Sequence, residues 1–573
     1  MTNAEIAAVF EQVADLLEFQ GANPFRVRAY RNAARTVHDL AQSVAAIVES
    51  DGTKLTEIQG IGADLAEKIS TLVRTGSLPM LDELLAQIPA SVLAILRVPG
   101  LGPKRASTLY HELGISNLDQ LRKACEAHRV RELKGFGAKT ETAILQGLEI
   151  AAQAEQRVYW SEADQVAATL REHLAECDAI DQMEFAGSYR RGKDTVGDLD
   201  LLVVASDPAK VMDRFATYPA LADVLARGDT KMSVRLQFGL QVDLRVVPAE
   251  SFGAALQYFT GSKAHNVVLR GMAKDRGLKI NEYGVFRGEK LIAGRTEEEV
   301  YAAVGLPWIA PELREARSEF DWAAAGQLPR LVELDDLRGD LHAHSTWSDG
   351  AATIEEMVEA ARQRGLKYLA ITDHSKRATI ANGLSADRLL AQWAEIDRLS
   401  KRLRGFTLLK GVEVDILESG GLDLPDEVLA KADWVVASVH FGQNQSRERI
   451  TERVIGALKN PHVWAIAHPT GRLLNKRKPY EIDLDAVLQA ARDHGKLMEL
   501  NAHPSRLDLD DVACAAAKKL GVPVVISTDA HTITGLDVLR YGVLQARRGG
   551  LTKDDVANAR PWPQLKKLIG KAR

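Results

Sequence analysis

Apolar and polar positions fall into three successive regimes along the chain. Up to about residue 150, apolar residues recur at helical spacing, as in Ile6, Val9, Phe10, Val13 and Leu17, in short runs broken by glycine-containing turns. This pattern predicts a set of short helices. From about residue 160 a helix to about 175 leads into strand-like runs, "MEFAG", "DLDLLVVA" and "VRLQFGLQVDLRVV", so the second region reads as α/β. A stretch rich in Pro, Ala and charge, from about 307 to 337, reads as a linker with a helical piece. Beyond it, strand-like runs end near His344, Thr372, Glu413, Val439, Ala467, Asn501 and Thr528, with helical patterns such as 354–364 and 483–494 in most of the gaps. That alternation predicts a parallel α/β barrel or sheet. A chain of 573 residues is too long for one hydrophobic core, so a multidomain protein is expected.

Composition narrows the classes. No stretch approaches the roughly 18 apolar residues of a membrane span, and the N-terminal "MTNAEIAAVFEQVADLL" carries acids where a leader would carry bases. A cytoplasmic, nucleoid-associated protein without a membrane partner is the expectation. The net charge of −5 excludes a global basic signature, so any nucleic-acid contact must be local. Cys125, Cys177 and Cys514 are odd in number and far apart, which reads as unpaired thiols. Nine of the 14 histidines follow residue 340, a bias that points to metal chemistry in the last region.

One pattern recurs in the helical region: an apolar residue, Gly-x-Gly, then a helix. It appears as "IQGIGADLAEKI" at 58–69, "RVPGLGPKRA" at 97–106 and, more loosely, "LKGFGAKTETAI" at 133–144. Such a turn exposes backbone N–H groups at the positive end of a helix, where a DNA phosphate can approach without its sequence being read. Gly60, Gly62, Gly100, Gly102, Lys104, Gly135 and Gly137 are the candidate contacts. The copies resemble helix-hairpin-helix motifs; the third also fits a plain helix junction.

In "AGSYRRGKDTVGDLDLLVVA", Asp198 and Asp200 stand two apart at the start of an apolar strand, so both point to one face and can share a metal. Asp243 sits mid-strand on a face with Gln241 and Arg245, opposite Val242, Leu244 and Val246. Paired strands would let three carboxylates hold two Mg²⁺ or Mn²⁺ ions, the requirement for nucleotidyl transfer. Gly187 and Ser188 can cradle phosphate oxygens, and Arg190 or Arg191 can supply charge. An isolated Asp-x-Asp is otherwise a solvated strand end; here it has companions. The set resembles the nucleotidyltransferase palm, and "YFTGSKAHNVVLR" at 258–270 is similar to the nucleotide-selecting subdomain of the family X DNA polymerases. The resemblance implies that Tyr258 and Phe259 pack against the nucleotide sugar, Asn266 touches the base edge, Arg270 reaches the template side and Arg191 holds the triphosphate, with Gly261 also in the nucleotide site. Lys263 and Gln241 depart from the pattern of eukaryotic members, which carry an acid and an arginine there. "VRAYRNAARTV" with the first hairpin is similar to that family's lyase domain, putting Lys68 at the Schiff-base position, with Arg28 and Arg31 as candidate binders of a 5′-phosphate. Few cations surround Lys68 in the sequence, so an exposed helix lysine is the competing reading.

In the last region, metal-type residues recur at the C-terminal ends of successive strands, where barrel active sites lie. They are His342, His344, Asp349, His374, Glu413, His440, His468, Asp529 and His531. Any one of them alone reads as a satisfied histidine or a cap; nine in register read as a site. Mixed imidazole and carboxylate ligands suit Zn²⁺, Mn²⁺ or Fe and the hydrolysis of a phosphoester. The order resembles the polymerase and histidinol phosphatase (PHP) domain, implying a distorted (β/α)7-type barrel with a cluster of up to three Zn²⁺ or Mn²⁺ ions. The implied activity is that of a 3′–5′ exonuclease, with abasic-site endonuclease or 3′-phosphatase action open. Arg472, Lys476 and Arg506 are candidate backbone contacts or surface charge.

The expected organisation is a lyase-like helical domain with the first hairpin (1–85), fingers (86–155), palm (156–250), nucleotide-selecting thumb (251–317), linker (318–337) and PHP domain (338–573). The expected substrates are gapped or nicked duplex DNA and deoxynucleoside triphosphates, handled by a monomeric repair polymerase. Two alternatives remain open: a 3′-end-processing nuclease or phosphatase whose palm only binds DNA or nucleotide, and a non-enzymatic DNA-end scaffold.

Overall fold

The computed structural model describes residues 3–39, 44–58, 60–88, 90–96, 98, 101–154 and 157–570. They form two compact units: residues 1–158 with the short segments 237–240 and 474–477, and the remainder. Among the described residues no helix is long and apolar enough to cross a membrane, and Cys125, Cys177 and Cys514 are free thiols.

The first unit is helical. Ile6, Phe10, Val13 and Leu17, the apolar stripe of helix Asn3–Phe19, are buried in one core with Tyr30, Ile69 and Leu109. Three hairpins repeat one construction. A short helical turn (Gly52–Glu57, Ala90–Leu96 or Val130–Glu132) leads through Gly-x-Gly into a longer helix (Ala63–Thr75, Pro103–Leu113 or Ala138–Ala154). Gly60 at φ +89° and Gly135 at φ +87° occupy the left-handed region that a side chain disfavours. The third copy, loosest in sequence, therefore has the turn geometry of the first. Gly62 and Gly102 cap their helices with extended backbone and no side-chain acceptor, leaving first-turn N–H groups open, save at Pro103, which has none. Gly100 lies outside the described residues.

In the second unit, a five-stranded sheet has the spatial order Ile180–Phe185, Asp198–Ala205, Gln241–Val246, Lys231–Leu236, Leu221–Arg227. Only the Asp198–Ala205 and Gln241–Val246 pair is parallel. Helices Phe252–Thr260 and Lys263–Lys274 follow, then a three-stranded sheet from Lys279 to Ala293 and helix Glu297–Ala303. Here the buried Glu297 accepts forked hydrogen bonds from Arg314 (2.6 and 3.0 Å) and from Arg190 (2.8 and 2.9 Å). The segment expected as a linker is packed. Glu319, 1% exposed, accepts from buried His265 at 2.9 Å, and Val332 N–H donates to the Leu551 carbonyl at 3.0 Å.

The last seven strands, from Gly339–Ala343 to Val524–Ser527, lie in sequence order and pair in parallel. Hydrogen bonds from His344 N to Ala530 O (2.8 Å) and from Asp529 N to His342 O (2.9 Å) join the last strand to the first. This makes a nearly closed barrel. Its strands are buried on both faces, which is why they read as continuous apolar runs.

Candidate active sites

The palm site is set by register. Asp200 lies directly opposite Asp243 on the parallel neighbour strand, and Ser233 opposes Asp243 on its other side. Period-2 alternation buries Leu199 and Leu201 while Asp198 and Asp200 face outward. Gln241 Nε2 donates to Asp243 Oδ1 at 3.2 Å, so the glutamine orients the third carboxylate. Gly187 turns back over the site at φ +63°, so close that a Cβ there would lie 2.6 Å from Asp200 Oδ2. Burial first, then the charges of Asp198 and Asp243, push the Asp200 carboxyl up to about 7. Like charges crowded this way need a divalent cation to stay ionised together.

Around this face, Arg191 donates to the Thr260 carbonyl and, at 3.2 Å, to Glu315, beside the turn at Gly261. Phe259 meets Tyr258 edge-on at 5.2 Å and carries the Arg245 guanidinium 4.6 Å above its ring. Arg190 is committed to Glu297 and Thr260, which makes it a structural cation. Asn266 is buried: its Oδ1 accepts from Gln257 at 2.7 Å and its Nδ2 donates to the Tyr258 carbonyl at 2.8 Å. Arg270 is exposed, held to the Asn266 carbonyl at 3.2 Å.

At the barrel mouth all nine candidate ligands converge. Three overlapping sets each bring one ligand atom per residue within 4.8 Å of one another: His344, Asp349, His374 and His531; His342, His344 and Asp529; His374, Glu413 and His440. His468 joins through Glu413 at 3.0 Å. His342 Nε2 and Glu413 Oε2, fully buried, face each other at 3.4 Å without hydrogen-bonding geometry. Two orphaned electron-pair donors aimed at one point fit a shared cation. Stacked imidazoles fit it too, with His344 lying 4.2 Å from His531 and 4.4 Å from His374, centroid to centroid. Burial, with those two neighbours, pushes the His344 imidazole down to about 3. For His440, burial is outweighed by Glu413 and Asp415, which raise it to about 10. His468 at φ +29° and Asp529 at φ +57° store backbone strain of order 1–3 kcal/mol each, as ligands held in place by a scaffold do.

Three supporting acids escaped sequence reading. Glu499 accepts from His342 Nδ1 at 2.6 Å and from the His468 amide at 2.6 Å. Asp415 lies 3.2 Å from His440 Nδ1. Glu499 thereby fixes which His342 nitrogen faces inward, whereas the Asp415 contact lacks hydrogen-bonding geometry and His440 Nδ1 pairs with Ser438 Oγ at 3.2 Å. Asp373 gathers Ser345 N–H (2.8 Å), Ser345 Oγ (2.5 Å) and the side chains of Ser348 and Gln392, shaping the loop that carries Asp349. Glu499 could have been found from its place near the end of an apolar strand, as Glu413 was.

In the first unit, a cleft of about 460 Å³ is lined by Arg26, Tyr30, Gly62, Asp64 and Lys68, among others. Lys68 is paired with Asp64 one helical turn away. Arg31 is engaged by Asp15 at 3.0 Å and by Glu18 at 2.5 Å, so Arg26 is the arginine on this cleft.

Family models match nearly every part: a helix-hairpin-helix domain at 1–78, a helix-hairpin-helix tandem at 92–149, the DNA polymerase beta palm at 157–241, the DNA polymerase beta thumb at 255–315 and the PHP domain at 340–503. The chain is 42% identical over 573 residues to the DNA polymerase/3′-5′ exonuclease PolX of Bacillus subtilis, covering 99% of each. The chain belongs to the PolX family. The chain is also 27% identical over 345 residues to rat DNA polymerase lambda, covering 55% of this chain and 56% of the relative. It is 33% identical over 230 residues to a probable phosphatase of Thermoanaerobacter sp. (strain X514), covering 38% of this chain and 89% of the relative. The palm and PHP matches stop short of Asp243, Asp529 and His531, which the structure nevertheless places beside Asp200 and among the barrel-mouth histidines. PolX membership implies divalent-metal use, with DNA and nucleotides as substrates.

Proposed function

We propose that this chain is a family X DNA polymerase that fills short gaps in DNA repair, coupled to a PHP-domain 3′–5′ exonuclease that trims or cleans 3′ ends. The observation that carries the reading is the parallel register of Asp200 against Asp243 under the Gly187 turn, in a chain with a second, complete ligand cluster at the barrel mouth. Asp198, Asp200 and Asp243 would hold Mg²⁺ or Mn²⁺, and the nine barrel residues up to three Zn²⁺ or Mn²⁺ ions. Such ions lower the pKa of a hydroxyl or water and neutralise phosphoryl charge. Gly187 and Ser188 present N–H and hydroxyl to the triphosphate, Arg191 neutralises it, and Tyr258, Phe259, Gly261, Asn266 and Arg270 select the nucleotide.

Gly60, Gly62, Gly100, Gly102, Lys104, Gly135 and Gly137 grip gapped or nicked DNA through its phosphates. The proposed domain borders fall at 85, 155, 250, 317 and 337, and the proposed protein is a cytoplasmic, nucleoid-associated monomer. Arg26 and the open amides after Gly62 suit a terminal phosphate in the first unit's cleft. Asp64 competes there for the Lys68 amine, which counts against lyase chemistry.

The test is labelled one-nucleotide-gapped DNA incubated in Mg²⁺ or Mn²⁺, with and without deoxynucleotides, for wild type, Asp198→Ala and His344→Ala. Extension lost only in Asp198→Ala and shortening lost only in His344→Ala is the expected result. Shortening without extension in wild type would favour the reading of a 3′-end nuclease or phosphatase, to which the likeness to a probable phosphatase lends weight.

A further inference from the structure

Arg191 and the barrel meet at one partly buried carboxylate. Glu315 Oε1 accepts from Arg191 Nε at 3.2 Å and from both terminal nitrogens of Arg548 at 3.1 Å, with Lys193 Nζ 3.9 Å away. Arg548, on barrel helix Leu539–Arg548, has a side chain only 1% exposed, and it also donates to the Arg191 carbonyl at 2.7 Å and to Asp511 at 2.6 Å. Arg317 shares Asp511 at 2.9 Å. An arginine from the barrel therefore grips both the main chain of Arg191 and the acid that holds its guanidinium.

The arrangement is asymmetric. Arg191 ends the turn that begins at Gly187 against Asp200, and its guanidinium rests on Glu315 and the Thr260 carbonyl. To meet a triphosphate it must leave Glu315. The acid then keeps its main partner because Arg548 is already bonded to it through two nitrogens, which limits the cost of taking one cation from a partly buried carboxylate.

We infer that Arg548 is a positioning residue for the polymerase reaction: it anchors the Arg191 main chain and shares Glu315, so that the Arg191 guanidinium is free to transfer to the incoming triphosphate. The inference rests on the proposed triphosphate role of Arg191 and goes beyond it by making nucleotide affinity depend on a side chain of the PHP barrel. Without Arg548, Glu315 becomes a trap for Arg191.

The experiment measures gap filling by the full chain against deoxynucleotide concentration for wild type and for Arg191→Ala, Arg548→Ala, Arg548→Lys, Glu315→Gln and the Arg548→Ala/Glu315→Gln pair, with 3′–5′ nuclease rates alongside. Losing one charge-assisted partner predicts a KM for deoxynucleotide about tenfold higher in Arg548→Ala, with kcat within about twofold and nuclease rate unchanged. Arg548→Lys lies between, because a lysine keeps the charge but not the fan of bonds. Adding Glu315→Gln removes the trap and brings KM back to within about threefold of wild type, and Glu315→Gln alone lowers KM.

An unchanged KM in Arg548→Ala overturns the proposal. So does a raised KM that Glu315→Gln fails to relieve, which would mean a loosened interface. A higher KM in Glu315→Gln alone overturns it even if Arg548→Ala does not fold. An unchanged KM in Arg191→Ala would instead sink the triphosphate role of Arg191, and the inference with it.

Discussion

Gly187 shows how tightly single positions are specified. Its φ of +63° and the 2.6 Å approach of a would-be Cβ to Asp200 Oδ2 mean that alanine must either unwind the turn or displace the carboxylate. Because displacement of a reacting group by about 1 Å costs on the order of 100-fold in rate, Gly187→Ala should lower gap filling by about that factor. Nuclease rate should stay unchanged, which a paired assay on one preparation reads directly. Glu499 makes the matching case in the barrel. Glu499→Gln keeps the shape but weakens the acceptor that orients His342, and loss of such partners typically costs about 10–100-fold in metal affinity or activity. Metal titration together with nuclease assay should show the loss, with gap filling as the internal control. Asp198, Asp200 and the nine candidate barrel ligands were legible in the sequence only as sets: an acid at the head of an apolar strand, or a histidine where an apolar run ends, is ordinary alone and points to chemistry when it recurs in register. Asp415 and Arg548 were not, because the groups they approach, His440 and Arg191, lie 25 and 357 residues away.

At the scale of elements, the Gly-x-Gly repeats and the strand-helix alternation were readable because backbone conformation and burial leave their mark within a few residues. The packed state of 318–337 was not. Its buried groups, Glu319 against His265 and Val332 against Leu551, are single positions in a polar stretch whose partners lie elsewhere in the chain. The same thumb region carries a pH signature. Burial would raise the Glu297 carboxyl, but Arg314 and Arg190 hold it down at about 2, below its ordinary 4.5. A depressed carboxyl contributes stability that is fully present above its unfolded pKa and lost as pH falls through the folded one. The window is therefore about 4.5 down to about 2, and the contribution is on the order of 3 kcal/mol. Denaturant unfolding of wild type across that window should steepen with acidity, while Glu297→Gln, less stable throughout, should show a flatter slope. Parallel slopes would assign the acid sensitivity to other groups.

At the scale of the whole molecule, the compact units divide the chain differently from its chemistry. The core of the first unit draws its buried residues from Ile6 to Leu148, while palm, thumb and barrel belong together in the second unit, tied by Arg548, by Arg472 on Asp194 at 3.2 Å and by Trp160 edge-on to Tyr541 at 5.8 Å. The alternation of elements could not have announced this, since a stretch that looks like a linker leaves the two active sites free to be placed anywhere. Compact units of a multidomain chain unfold as separate transitions, so calorimetry should resolve two, with polymerase and nuclease sites lost together in one of them. Metal distinguishes the two. Ligand that binds only the folded state stabilises by RT ln(1 + [L]/Kd), about 2.7 kcal/mol at 100-fold excess over Kd. Mn²⁺ or Zn²⁺ should therefore raise the transition that destroys the barrel and leave the helical one in place, and chelation should reverse the shift. His344→Ala should abolish most of it. A metal-dependent shift of the helical transition, or three transitions with palm and barrel parting, would mean that the contacts around Arg548 do not bind the two catalytic parts into one cooperative body.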